Sequence, residues 1–405
     1  MENATKNVAF VISGAAAFIP QELACIRAIM EAKYPGATEK ITPAILAGTS
    51  SGSICTILVN GIINGKITWD QVENDIIPAI KNNNIYDNEL FLQALLFNAI
   101  QTIIAGSKSS KDTIQLYNDV VDLLKNYASM TWRQVLAKLI SIFGESVKEY
   151  QEIRAFANDV ATLIQKVKHY DYEAVKAAYQ AILENIGKGY VLDTAPLKVT
   201  LEKYINNEMD FDTIDQLPCR TLISAVSVAD GREKRFDSTK NDDKGTNLVD
   251  IILASTAIPV AFPERAVNTQ MYVDGGTGTD NFPVPDIMGT GEKFDEVYVI
   301  THKNETLLGK AIAHNYTWLP ILSNLFFALA VQGGNTVTYQ MAQSLSIVNN
   351  PQNAYLYMPN FDQNFSMLDF DSMPEQLKES KEYCENHSPE KVVDVLKRIN
   401  FPVPI

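Results

Sequence analysis

The chain has 405 residues, 46% of them hydrophobic, enough for one large α/β domain carrying an insertion or for two ordinary domains. A net charge of -14 with no cluster of Lys or Arg excludes nucleic acid as a partner, because the phosphate backbone is bound by such clusters. Four scattered cysteines, Cys25, Cys55, Cys219 and Cys384, lie in apolar or helical contexts; they read as reduced thiols, neither a disulfide framework nor a metal site, and predict a reducing, cytoplasmic compartment.

Residues 8–12 form an apolar run of strand composition. It ends at Ser13-Gly14-Ala15-Ala16-Ala17, and Pro20 then opens a predicted helix over residues 21–33. Lys6 with the apolar residues after it also has the pattern of a short signal peptide, but the strand, loop and helix account for the same residues. The small side chains of residues 13–17 suit a tight turn; they also let backbone N–H groups face a ligand, as an oxyanion hole requires.

Residues 44–54 read Ala-Ile-Leu-Ala-Gly-Thr-Ser-Ser-Gly-Ser-Ile. This predicts a buried strand turning sharply into a helix with Ser50 at the corner, the G-x-S-x-G nucleophile elbow. Gly48 and Gly52 leave the room that side chains would fill. A helix beginning at Ser51 or Gly52 points its positive end at the serine oxygen.

From residue 69 to 187 the pattern changes to long amphipathic helices, over residues 90–104, 113–127, 131–143, 147–167 and 172–186. A helical insertion over 69–187 is expected, serving as a lid or partner-binding region. Its segment 90–100 is apolar almost all the way round, which suits a buried helix or one covering a greasy site. The α/β pattern then returns. Residues 220–228 are a strand, Asp230-Gly231 a turn, and Arg235-Phe236 starts the partner strand. Residues 248–255 are a helix, 258–263 a rigid loop, and 271–273 lead into Asp274-Gly275-Gly276. Residues 296–301 form another buried strand. Residues 318–331 carry no charge but are too few to span a bilayer, and are expected as a buried helix. An amphipathic helix over 389–399 ends the pattern.

A serine hydroxyl attacks well only when a base takes its proton and the developing oxyanion is stabilised. Asp274 is one candidate base. A free aspartate has a pKa near 3.9, so it needs desolvation to serve, and Asp-Gly is also a common turn dipeptide. The other candidate is a histidine in a Ser-Asp-His triad. Of His169, His302, His314 and His387, only His302 follows a predicted strand.

Four segments, in order, resemble the patatin-like phospholipase family: residues 13–20, Gly48 to Gly52, the run Ala254-Ser255-Thr256-Ala257-Ile258-Pro259 with Phe262-Pro263, and Asp274-Gly275-Gly276 followed by Asn281-Phe282-Pro283-Val284. Residues 192–197 are similar to a fifth family segment. The resemblance implies a three-layer α/β/α sandwich with a mostly parallel sheet, and a lipid acyl hydrolase working through a Ser50–Asp274 dyad. Gly14, Ala15 and Ala16 would lend N–H groups to the oxyanion, and Gly48, Gly52, Gly275 and Gly276 would support the motifs. No cofactor or metal is called for. The implied substrate is a lipid at a membrane surface, with the protein cytoplasmic or peripheral at membranes. Some members of the family are delivered by bacteria into host cells and await an activator, which the insertion would bind. The family loop usually reads G-G-G-x-[RK]-G, whereas residues 13–18 here hold one glycine and no basic residue. Two readings stand beside the dyad: an inactive lipid- or partner-binding protein, and a triad hydrolase using His302.

Overall fold

The computed structural model describes residues 6–105, 112–126, 134, 160–168, 170–278, 281–308 and 336–402. The chain forms two compact units. One is Met1–Ile85 with Thr194–Asn315 and Asn324–Ile405; the other is Tyr86–Asp193 with Tyr316–Ser323.

The first unit is built on a sheet of nine strands: β1 (Val8–Ile12), β2 (Ile45–Thr49), β3 (Arg220–Ser227), β4 (Glu233–Asp237), β5 (Arg265–Val267), β6 (Gln270–Asp274), β7 (Glu296–Ile300), β8 (Ala354–Tyr357) and β9 (Glu390–Lys391). Their order is β5-β6-β3-β2-β1-β7-β8-β9, with β4 also paired to β3. The five central strands, β3 to β8 in that order, run parallel, and the outer pairings are antiparallel. Parallel strands covered on both faces read as continuous apolar runs, which is why β1 is Val-Ala-Phe-Val-Ile and buried throughout. Alternation divides it between two layers. Ala9 and Val11 join Ile45, Ala47, Val297, Val299 and Leu356 in a core with Phe282, Ile287, Val392 and Leu396. Val8, Phe10 and Ile12 face the opposite layer, which holds the helices α1 (Ile19–Met30) and α2 (Ser51–Ile63). The result is the expected α/β sandwich.

Two differences from the sequence reading have clear causes. The C-terminal helix starts at Val392, because Glu390 and Lys391 pair with β8 as a short edge strand. Helix Met373–Asn386 was not anticipated: its buried positions are Met373, Gln376, Leu377, Ser380 and Cys384, so the helical period is there but two of these five positions are polar.

The second unit is helical. Its core joins Leu96, Phe97 and Ile100 of helix Asn88–Ala105 to Tyr117, Val120 and Val121 of helix Thr113–Lys125, Val160, Ile164, and Val175 of helix Tyr172–Gly187. The apolar segment 90–100 is therefore core of its own unit. Most of the helices expected at 131–143 and 147–167, and the uncharged run 318–331, lie outside the described residues. Residues 69–85, expected in the insertion, belong to the first unit, where Ile76, Ile80 and Ile85 line a pocket. None of the described helices is long and apolar enough to cross a membrane. The four cysteines are free and buried, and Cys25 and Cys384 approach to 3.8 Å between sulfurs.

Candidate active site

Sheet order brings the two principal candidates together. β3 lies between β2 and β6, with Thr49 beside Ser224 and Ala225 beside Asp274. Ser50, one residue past Thr49, is thus level with Asp274 two strands away. The turn into α2 closes the remaining distance. Gly48 and Gly52 permit that turn: a β-carbon on Gly48 would stand 2.5 Å from the Gly52 carbonyl oxygen, and one on Gly52 2.6 Å from the Ile12 carbonyl oxygen.

Ser50 sits at the corner with φ 52 and ψ -128, a left-handed φ that costs a non-glycine residue about 1–3 kcal/mol. Neighbours hold it there. Its N–H donates to Ser255 Oγ at 2.9 Å, and Ser255 Oγ in turn donates to the Ser224 carbonyl at 2.7 Å. Ser53 Oγ donates to the Ser50 carbonyl at 2.5 Å. Ser50 is the N-cap of α2, a position where serine commonly accepts a backbone N–H, yet its side chain does no capping. Instead Ser50 Oγ donates to Asp274 Oδ2 at 2.6 Å.

Asp274 is 3% exposed. Its other oxygen, Oδ1, accepts the Gly276 N–H at 2.7 Å, and its backbone N–H donates to the Ala257 carbonyl at 2.9 Å. Burial pushes its pKa up to about 7, against the downward pull of the Ser50 and Gly276 hydrogen bonds. A carboxylate so placed accepts a proton readily near neutral pH.

The small-residue loop is arranged differently from three donors aimed at one oxyanion. The Gly14 N–H donates to the Asn281 carbonyl at 3.2 Å, and the Ala15 N–H to Ser51 Oγ at 2.7 Å. Both are drawn to acceptors within the protein. Ala16, at φ 47, lines the pocket with Ser50. The loop is tied down at its start, where Ser13 Oγ donates to the buried Glu22 at 2.7 Å and lies 2.8 Å from Thr301 Oγ1.

The family profile described as patatin-like phospholipase matches residues 11–288, more than half of the chain, and that span contains both Ser50 and Asp274. The chain belongs to the patatin-like phospholipase family. Among solved structures it is similar to VipD from Legionella pneumophila, at 13% identity and a TM-score of 0.35, over 98% of this chain and 67% of that one. No curated protein matches it.

In this patatin-like chain His302 packs against Phe18, ring on ring at 4.9 Å. Its Nδ1 is buried without a hydrogen-bond partner, and burial lowers its pKa to about 4. Among the described residues no hydrogen bond joins it to Ser50 or Asp274. His387 stacks on Tyr383, and His169 and His314 lie outside the described residues. No cluster of metal-ligating side chains occurs among the described residues.

Ser50 opens into a pocket with about 820 Å³ of empty space, part of it open to solvent. Its walls come from α2, from residues 76–85, from 197–209, and from Phe262 and Phe370, and they are almost wholly hydrocarbon. The sequence reading missed the supports of the site. Ser255 and Asn281 lay inside recognised segments without a role; Ser224 carries no local signal, since the pairing of β3 with β2 brings it to the elbow.

Proposed function

We propose that this protein is a serine acyl hydrolase of lipid esters, using Ser50 as nucleophile and Asp274 as general base. The 2.6 Å hydrogen bond from Ser50 Oγ to a buried Asp274, with Ser50 itself lining an apolar pocket, carries this reading. As Ser50 Oγ attacks the ester carbonyl, Asp274 takes its proton, and the oxyanion finds the Ala16 end of the small-residue loop and the positive end of α2. Asp274 then protonates the departing alcohol, leaving an acyl group on Ser50. In the second half Asp274 deprotonates water, which attacks the acyl-enzyme; as the bond to Ser50 Oγ breaks and the fatty acid leaves, Asp274 returns that proton to Ser50 Oγ. The apolar pocket suits the acyl chain of a phospholipid, lysophospholipid or glyceride presented at a membrane surface.

The engaged N–H groups of Gly14 and Ala15 favour a second reading, a resting state or an inactive lipid-binding protein whose loop must rearrange before turnover. A protein activator engaging the helical unit is the partner we propose for that case. Fatty acid release from phospholipid and glyceride vesicles, followed by mass spectrometry, tests the first reading. Turnover by the wild type, lost in Ser50→Ala and in Asp274→Asn, is expected. Turnover retained by Asp274→Asn would refute the dyad; lipid binding without turnover on any ester would select the second reading.

A further inference from the structure

The wall that α2 gives to the pocket consists of Ser51, Ile54, Ile57 and Leu58, one face of the helix. A rise of 1.5 Å per residue puts Leu58 about 10 Å along the helix from Ser51. The next residue on that face, Gly61, does not reach the pocket. Its bare Cα is covered by Met209, whose sulfur occupies the place where a β-carbon would project, with Ile67 Cγ1 3.0 Å from the same point. Met209 is fully buried and itself lines the pocket. Its backbone N–H donates to the Tyr204 carbonyl at 3.0 Å, which anchors it after the helical turn Glu202–Glu208. Along α2 the lining therefore runs from the serine at one end to the Met209 thioether, over Gly61, at the other.

We propose that Met209, seated over Gly61, is the floor of the acyl-chain site and sets the longest chain the enzyme accepts. The inference rests on Ser50 being the residue that receives the acyl group. A saturated carbon chain with bonds of ~1.5 Å at tetrahedral angles advances ~1.25 Å per carbon, so the run from Ser51 to the level of Gly61 holds about eight to twelve carbons. Each carbon that fits raises kcat/KM about fourfold, and the rise stops where the chain meets Met209.

The two residues make opposite predictions. Met209→Ala removes the floor and moves the cut-off to longer chains by about two or three carbons, the length of the deleted side chain. Gly61→Ala adds a β-carbon where the sulfur now lies; the thioether end is flexible, moves toward the pocket, and shortens the cut-off. Alanine is also the better helix former, so this variant keeps the floor testable if Met209→Ala fails to fold.

The experiment measures kcat/KM for p-nitrophenyl esters of graded chain length with the wild type and both variants, each checked by thermal melting. A wild-type cut-off that lengthens in Met209→Ala and shortens in Gly61→Ala is expected. A wild-type profile without a cut-off, or folded variants that share the wild-type cut-off, would overturn the floor. If no ester is hydrolysed, calorimetric binding of straight-chain primary alcohols to the same proteins gives the answer independently of turnover. Opposite shifts would then uphold the floor while the hydrolase reading fails; unshifted cut-offs, or no binding at any length, would overturn it.

Discussion

Replacing Asp274 by Asn removes a charge from a site that is 3% exposed while preserving the side-chain shape. Burial raises the Asp274 pKa from 3.8 to about 7 in the folded protein. Between those values the folded state binds more protons than the unfolded chain, so this carboxyl makes stability fall as pH rises. With 1.36 kcal/mol per pKa unit, the cost relative to strongly acidic solution is about 2 kcal/mol at pH 5 and about 4 kcal/mol at pH 8. Asn pays neither. The stability of Asp274→Asn relative to wild type should therefore improve by about 2–3 kcal/mol between pH 5 and pH 8, whatever fixed offset the amide introduces. Other groups, such as the buried Glu22, titrate alike in both proteins and cancel. Urea unfolding at the two pH values measures the difference. A difference that does not change with pH, or that moves against the variant as pH rises, would show that Asp274 is not held protonated by its burial.

Three further outcomes follow from the same geometry. Because Asp274 must be ionised to accept the Ser50 proton, kcat/KM for ester hydrolysis should climb through a single step centred near pH 7 and level off above it; a flat profile from pH 5 to 8 would contradict the assignment. Ser255→Ala leaves the Ser50 N–H without its acceptor, a loss of about 1–3 kcal/mol, and should lower kcat about tenfold with KM little changed; an unaltered kcat would mean that the elbow needs no such support. His302→Phe keeps the stack on Phe18 and removes the unpartnered Nδ1, so steady-state assays should find activity within about threefold of wild type, whereas a triad histidine would cost a thousandfold or more.

The strands at residues 8–12, 45–49, 220–227 and 296–300 and the sharp turn at Ser50 were legible because each is a local pattern, whereas β5, β8 and β9 were not read from the sequence and Asp274 was singled out by the family resemblance. Residues 8–12 and 45–49 must be apolar on both faces to lie inside a parallel sheet, and Gly48 and Gly52 must be bare for α2 to pass the first loop. The supports of the site were not legible, since they depend on register. Nothing near Ser224 announces that β3 ends beside the elbow, and Asn281, although inside a recognised segment, gives no sign that its carbonyl meets the first loop. The small-residue loop shows the same limit: its composition suits N–H donors, but the acceptors that claim two of them, Ser51 Oγ and the Asn281 carbonyl, come from other parts of the chain. The boundary of the helical unit also escaped the pattern. Residues 69–85 are helical like those after them, and only the pocket they line shows that they belong with the sheet.

The most direct test of the central claim is the intact mass of the protein after incubation with a fluorophosphonate, which reacts with an activated serine. A single adduct on the wild type, absent from Ser50→Ala, is the predicted result. An adduct that persists in Ser50→Ala, or none on the wild type even with lipid vesicles present, would contradict the assignment of Ser50 as a serine activated by Asp274.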